Sequence, residues 1–288
     1  MSDDLLSPAT LARLERLQLG NRRRLAGRFS GEHRSPRYGS SLDFADYREY
    51  HPGDDFRRID YALYARTDQL FIRLFEAEDD LALRLLVDTS GSMGFHGKMR
   101  QAARLAASLG FVALTRRDIV TLMTFPNSAP PRRFNGRGAV SPMLRILGAL
   151  EASGATDVRA AATDALARPG VPGMTVIISD LLSPSWEAAI DRLPSRGGDS
   201  AVVHVLAREE IDPELMGDLD VEDAESGDRV AVSLATDSLK KYATATQTWL
   251  DRVAARCRSR GVAYTRVLAD ADLETVLFTG WREEGLVR

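Results

Sequence analysis

The sequence predicts an α/β fold: a doubly wound, mostly parallel sheet with one antiparallel edge strand, preceded by an N-terminal helix and an aromatic-rich extended segment. Three observations lead there. From residue 81 onward, short β-branched apolar runs alternate with stretches of helical spacing, the signature of βα units. The runs at 81–87, 119–125, 175–179, 201–207 and 262–268 are apolar nearly throughout, as parallel strands covered on both faces are. The segment after 119–125 opens on Pro130 and Pro131 and is rich in Arg through Arg137, which confines it to a sheet edge.

Taken in chain order, residues 8–19 space Leu11, Leu14, Leu17 and Leu19 between charges, which predicts a helix. A basic stretch follows, with Arg22, Arg23, Arg24, Arg28, Arg34 and Arg37 against Glu32. Gly27, Gly31, Pro36 and Gly39 interrupt it, so an extended arm is expected. Two readings stand for this arm: a solvated loop, or a docking surface for an acidic partner. Residues 42–80 are dense in aromatics (Phe44, Tyr47, Tyr50, Phe56, Tyr61, Tyr64, Phe71, Phe75) and in charges of both signs. Pro52-Gly53 marks a turn, and 69–75 alternate as an edge strand does. Most of these aromatics are expected to scaffold a core, with the charges facing outward. Residues 1–80 are thus read as a helix, an arm and a β segment packing on a main domain at 81–288.

Within that domain, helices are expected at 98–115, near 140–152, at 158–167, near 185–193, at about 239–260 and from Ala271. An acidic loop spans 208–228, and 229–234 forms a hairpin with 218–222. The loop is either solvated or meets a basic patch.

Composition narrows the function. Hydrophobic content of 44%, charged content of 27% and a net charge of −3 describe a globular protein with no bias toward nucleic acid. Lys occurs only at 98, 240 and 241, so the positive charge is nearly all Arg. The single cysteine, Cys257, rules out an internal disulfide and sits in an amphipathic stretch as a small buried apolar residue. No apolar run reaches membrane-span length, and residues 1–11 lack a signal-peptide core. A cytoplasmic protein is expected.

Five oxygen-bearing residues fall where one divalent cation needs them. Asp88, Ser90 and Ser92 follow the first apolar strand, Thr156 lies in Gly154-Ala155-Thr156-Asp157, and Asp180 closes the run 176–180. In open α/β sheets, ligands bind beyond the carboxyl ends of the strands. Hydroxyls and carboxylates are hard donors that suit Mg²⁺ or Mn²⁺. A plainer role for Asp88 and Asp180 is to cap the helices after their strands, which leaves Thr156 without a purpose.

The pattern Asp-x-Ser-x-Ser, then a distant Thr, then a distant Asp, resembles the metal-ion-dependent adhesion site of von Willebrand factor type A domains. That resemblance covers roughly 81–288. It implies that Ser90, Ser92 and Thr156 bind the metal directly, that Asp88 and Asp180 bind directly or through water, and that one position stays open for a partner's Glu or Asp. A second resemblance rests on Asp46-Tyr47-Arg48-Glu49-Tyr50-His51-Pro52-Gly53-Asp54-Asp55-Phe56-Arg57-Arg58-Ile59-Asp60-Tyr61, with Ala65 to Arg73 following. It is similar to the signature of a bacterial family known as domain of unknown function 58, in the branch without membrane helices. The usual Ile-Asp-Trp ending is Ile-Asp-Tyr here. This resemblance implies a partner, an AAA+ ATPase of the MoxR type, and a chaperone-like role in maturing or assembling protein complexes.

Other chemistries fit less well. A haloacid-dehalogenase site has Asp two residues after the first Asp; Ser90 stands there, so the general acid is lacking. A P-loop ending in Gly97-Lys98 has one residue too many, and Met99 replaces the Ser or Thr. There is no Gly-x-Ser-x-Gly elbow. The histidines at 33, 51, 96 and 204 lack metal spacing; His204 reads as a core residue, and His96 lies near the site. Neutral hydroxyls provide no base to activate water. The expectation is therefore a non-catalytic, metal-dependent adaptor. The alternatives are a metal-dependent phosphohydrolase or nuclease, and a scaffold whose site no longer binds metal.

Overall fold

The computed structural model describes residues 5–20, 44–52, 54–75, 82–126, 129–168, 173–196, 198–213, 217–234 and 236–287. The chain divides into two compact units, Met1–Arg28 with Leu81–Arg288, and Phe29–Asp80. The basic arm expected at 22–37 lies outside the described residues.

Helix α1 (Pro8–Leu14) starts where Ser7 accepts the Thr10 N–H at 3.0 Å and Pro8 presets the first turn. It ends earlier than the spacing of its leucines suggests. Leu17 and Leu19 nevertheless join Leu6 and Leu14 in the main core, because the chain beyond α1 runs antiparallel to the C-terminus through a bridge between Leu19 and Val287. At Gly20 a Cβ would lie 1.8 Å from the Gly285 carbonyl oxygen, so only glycine permits this approach. The N-terminal helix therefore belongs to the main unit, whereas the sequence reading grouped it with the segment up to residue 80.

In the second unit, strand β1 (Phe44–Glu49) pairs antiparallel with β2 (Phe71–Phe75), and α2 (Tyr61–Thr67) lies between them in sequence. Asp60 caps α2, accepting the N–H groups of Ala62 and Leu63 at 3.0 Å each and the Tyr47 hydroxyl at 3.0 Å. Arg48 and the His51 N–H both hold Asp54, each at 2.9 Å. The signature's charged residues thus tie the turn and the strands together. Four of its aromatics depart from the core role expected of them: Tyr47, Phe56, Tyr61 and Tyr64 are exposed, while Ile59 and Ile72 are buried.

The main sheet comprises β3 (Ala82–Asp88), β4 (Ile119–Phe125), β5 (Arg132–Asn135), β6 (Gly173–Ser179), β7 (Asp199–Leu206) and β10 (Ala263–Leu268), in the order β10-β7-β6-β3-β4-β5. All neighbours are parallel except β5, which runs antiparallel at the edge. Successive side chains face opposite sides. Leu83, Leu85 and Val87 of β3 join one core and Leu86 the other. The first face is covered by α1, α3 (Lys98–Thr115), α4 (Val140–Gly148) and the C-terminal turns. The second is covered by α5 (Val158–Ala167), α6 (Trp186–Arg192) and α7 (Thr236–Ser259). Each fully buried Leu, Ile or Val contributes about 1.5–3 kcal/mol, and these two layers hold the sheet between them.

The hairpin expected within the acidic stretch is present as β8 (Gly217–Glu222) with β9 (Arg229–Leu234), a two-stranded sheet of its own. Among the described residues no helix is long and apolar enough to cross a membrane.

Candidate functional site

The chain leaves β3 for β4 on one side and reaches β6 on the other, so the carboxyl ends of β3 and β6 form the topological switch point, the place where open α/β sheets hold their ligand crevice. Asp88 ends β3 and Asp180 follows β6; both are fully buried. Asp88 accepts the Ser90 N–H at 2.9 Å through Oδ1 and the Ser179 hydroxyl at 2.6 Å through Oδ2. The hydroxyls of Ser90 and Ser92 lie 3.1 Å apart. The loop carrying Thr156 is laced to this turn, since the Gly91 N–H donates to the Gly154 carbonyl at 2.8 Å and the Ser153 N–H to the Thr89 carbonyl at 2.7 Å. The Ser183 hydroxyl, three residues beyond Asp180, reaches the Thr156 carbonyl at 3.4 Å. All five residues singled out in the sequence therefore sit around one crevice. Asp88 and Asp180 also accept N–H groups two residues on, Asp180 from Leu182 at 3.1 Å, so the plainer turn-holding role is present beside any other.

The electrostatics are unbalanced. Burial, and next the charge of Asp180, push the Asp88 carboxyl up to about 6, against the hydrogen bond from Ser179. Lys98, the first residue of α3, is fully buried; its ammonium donates to Asp180 Oδ2 at 2.7 Å and also bonds Glu210. Glu210 in turn accepts the Ala207 N–H at 2.7 Å. His204 holds the Asp180 backbone, its Nε2 lying 2.8 Å from the Asp180 carbonyl, while Nδ1 meets the Tyr264 hydroxyl at 2.9 Å. Burial lowers the His204 pKa to about 4, so the ring is neutral. Its Nε2–H donates to the carbonyl and its Nδ1 accepts, which is the satisfied core role expected of it. His96 instead faces Glu209 at 2.9 Å on the surface.

A further carboxylate comes from the turn of the β8–β9 hairpin. Glu225 accepts the Thr156 N–H at 3.2 Å through Oε2. The turn lies directly on the Asp-x-Ser-x-Ser loop: a Cβ on Gly91 would come within 2.2 Å of the Ala224 carbonyl oxygen. Burial raises the Glu225 pKa, and the charges of Asp180 and Asp223 raise it further, opposed by the Thr156 N–H. Among the described residues, two buried side-chain oxygens have no hydrogen-bond partner: Thr156 Oγ1 and Glu225 Oε1. Both are on residues already joined by a hydrogen bond, and Glu225 lies within electrostatic reach of the buried Asp180. Such oxygens cost about 1–3 kcal/mol each when nothing meets them.

The donor set fits a hard divalent cation. Asp88 and Asp180 are a buried, mutually repelling carboxylate pair; Lys98 bonds Asp180 and Glu210, and Glu225 lies within electrostatic reach of Asp180, with the hydroxyls of Ser90, Ser92 and Thr156 as the remaining hard oxygens. No group of three or more His, Cys, Asp and Glu side chains forms a metal cluster among the described residues, so the hydroxyls are indispensable to any such site. Sequence reasoning missed Lys98, Ser179, Glu210 and Glu225. The rarity of Lys in this Arg-rich chain was the one available signal for Lys98.

The model of a family described as "Protein of unknown function DUF58" matches residues 46–249. The chain belongs to that family. Relatives of this DUF58 chain include the uncharacterized protein Rv1480 of Mycobacterium tuberculosis and the uncharacterized protein Mb1516 of Mycobacterium bovis. Each is 29% identical over 98% of this chain and 92% of its own. Among solved structures, an aerotolerance-related membrane protein from Bacteroides fragilis aligns with a TM-score of 0.44 at 18% identity, over 71% of this chain and 98% of its own. BatB from Bacteroides thetaiotaomicron aligns with a TM-score of 0.40 at 15% identity, over 71% and 96% respectively.

Proposed function

We propose that this DUF58 protein is a non-catalytic, metal-dependent protein-interaction adaptor built on a von Willebrand A-like domain. Ser90, Ser92 and Thr156 would hold Mg²⁺ or Mn²⁺ through hydroxyls, with Asp88 and Asp180 supplying carboxylates directly or through water. The observation that carries this reading is the buried, unpartnered Thr156 Oγ1 on a loop laced to the turn after β3, next to the buried pair Asp88 and Asp180 whose charges repel. The bound cation supplies a Lewis-acidic anchor for a carboxylate, and one such charge-assisted contact suits the centre of an interface. The chain's own groups are poorly arranged for hydrolysis. Lys98 engages Asp180 Oδ2 and the Asp180 Oδ1 atom accepts a backbone N–H; both bonds favour the charged carboxylate and weaken Asp180 as a base toward water, while a lone pair remains on each oxygen for a cation or its bound water.

Family resemblance makes a MoxR-type AAA+ ATPase in the cytoplasm, or a client of it, the expected partner, offering Glu or Asp. The exposed Phe56, Tyr61 and Tyr64 of the signature segment suit an additional docking surface. The test is titration of the protein with Mn²⁺, followed by pull-down of the purified ATPase in Mg²⁺ and in EDTA. The wild type binds one ion and retains the ATPase only with metal; Asp88→Ala and Thr156→Ala lose both. ATPase retention that is indifferent to EDTA and to Asp88→Ala would falsify the bridging role.

A further inference from the structure

The β8–β9 hairpin has no place in the sheet, yet its turn covers the crevice. Three observations converge on Glu225. One oxygen, Oε2, binds the Thr156 backbone, which fixes the side chain beside the Thr156 hydroxyl. The other, Oε1, is buried and unpartnered, as is Thr156 Oγ1. The turn backbone is seated against Gly91 so closely that no side chain fits between them. A carboxylate oriented by its second oxygen, with its first buried and unpartnered, on a residue bonded to the one that carries the orphaned hydroxyl and within electrostatic reach of the buried Asp180, is arranged as a cation ligand.

Resting on the metal-site reading above, we propose that Glu225 is a resident carboxylate ligand of the cation and fills, from within the chain, the position a partner's carboxylate takes. The hairpin is then a built-in competitor. A tethered ligand acts at roughly millimolar effective concentration, so a lone carboxylate from a weak partner does not displace it. A true partner needs additional contacts that lift the hairpin. Lifting is feasible because an isolated two-stranded hairpin is only marginally stable, and Val221 and Val230 remain exposed on it.

The experiment uses the full chain and Mn²⁺ alone, with binding followed by loss of the free-ion paramagnetic signal and hairpin docking by amide exchange at 217–234. Glu225→Gln keeps an oxygen for the Thr156 N–H but removes the charge; Glu225→Ala opens room for a small anion. The proposal expects Mn²⁺ affinity to fall roughly tenfold or more in both, since even indirect supporting groups contribute at that level. It also expects added acetate to restore affinity in Glu225→Ala and to leave the wild type unchanged, and Mn²⁺ to deepen amide protection of the hairpin in wild type only. If the wild type binds Mn²⁺ and Asp88→Ala abolishes it, while both Glu225 variants bind as tightly as wild type, the resident-ligand proposal is overturned and the metal site stands. If the wild type binds no Mn²⁺, both are overturned.

Discussion

Lys98 is the residue on which the crevice turns. Among the described residues it is the only cation within hydrogen-bond reach of the buried Asp180, and it holds Glu210 as well. Removing one partner of a buried pair leaves the other charged and unmatched, which costs about 3–5 kcal/mol. Lys98→Met is therefore expected to lower the urea midpoint by that equivalent, and a denaturation curve superimposing on wild type would refute the pairing. Cys257 gives a second residue-scale expectation. Burial pushes its thiol up to about 12, so it stays protonated and unreactive as pH rises through the ordinary thiol range. Alkylation at mildly alkaline pH should wait for unfolding by denaturant; labelling of the native protein at the rate of a free thiol would count against the packed position.

At the scale of elements, helix α2 depends on one carboxylate. The Leu63 N–H, then the Tyr47 hydroxyl, hold the Asp60 pKa below its ordinary value of 3.8. The sign follows: the cap is fully charged above the ordinary carboxylate range, and its stabilisation is lost as pH falls through the lowered native value. Asp60→Ala should speed amide exchange across 61–67 several-fold at neutral pH and remove the acid dependence of that exchange. Unchanged protection in α2 would show that other contacts hold the helix. The β8–β9 hairpin contrasts with β3, β6 and β7, which are buried on both faces. Its amides should exchange with far lower protection than theirs, because local opening follows exposed backbone bonds and sparse apolar burial.

At the scale of the whole molecule, the N-terminal residues are structural members of the main unit. Leu6, Leu14, Leu17 and Leu19 are each buried to 7% exposure or less in the same core as β3 and α3. With roughly 2 kcal/mol for each buried leucine, deletion of residues 1–20 should cost several kcal/mol and lower the thermal midpoint well beyond the effect of trimming a free tail. A truncated chain with the wild-type midpoint would return these residues to the status of an appendage.

The order of β-branched runs and helical stretches determined the parallel sheet, its antiparallel edge at 132–135 and the strand-end positions of Asp88 and Asp180, because each of those properties is local: a strand announces its burial in its own composition, and a residue at a strand end announces its position. The pairing of Lys98 with Asp180 and Glu210, the docking of the hairpin turn on Gly91, and the arrival of Glu225 beside Thr156 were decided by tertiary structure alone. These contacts join residues separated by 69 to 133 positions, and an acidic surface stretch carries no local sign of which of its carboxylates turns inward. The aromatics of the signature segment failed as core markers for a related reason. Hydrophobicity favours burial, but whether a given side chain finds a covering layer depends on which elements the fold brings over it.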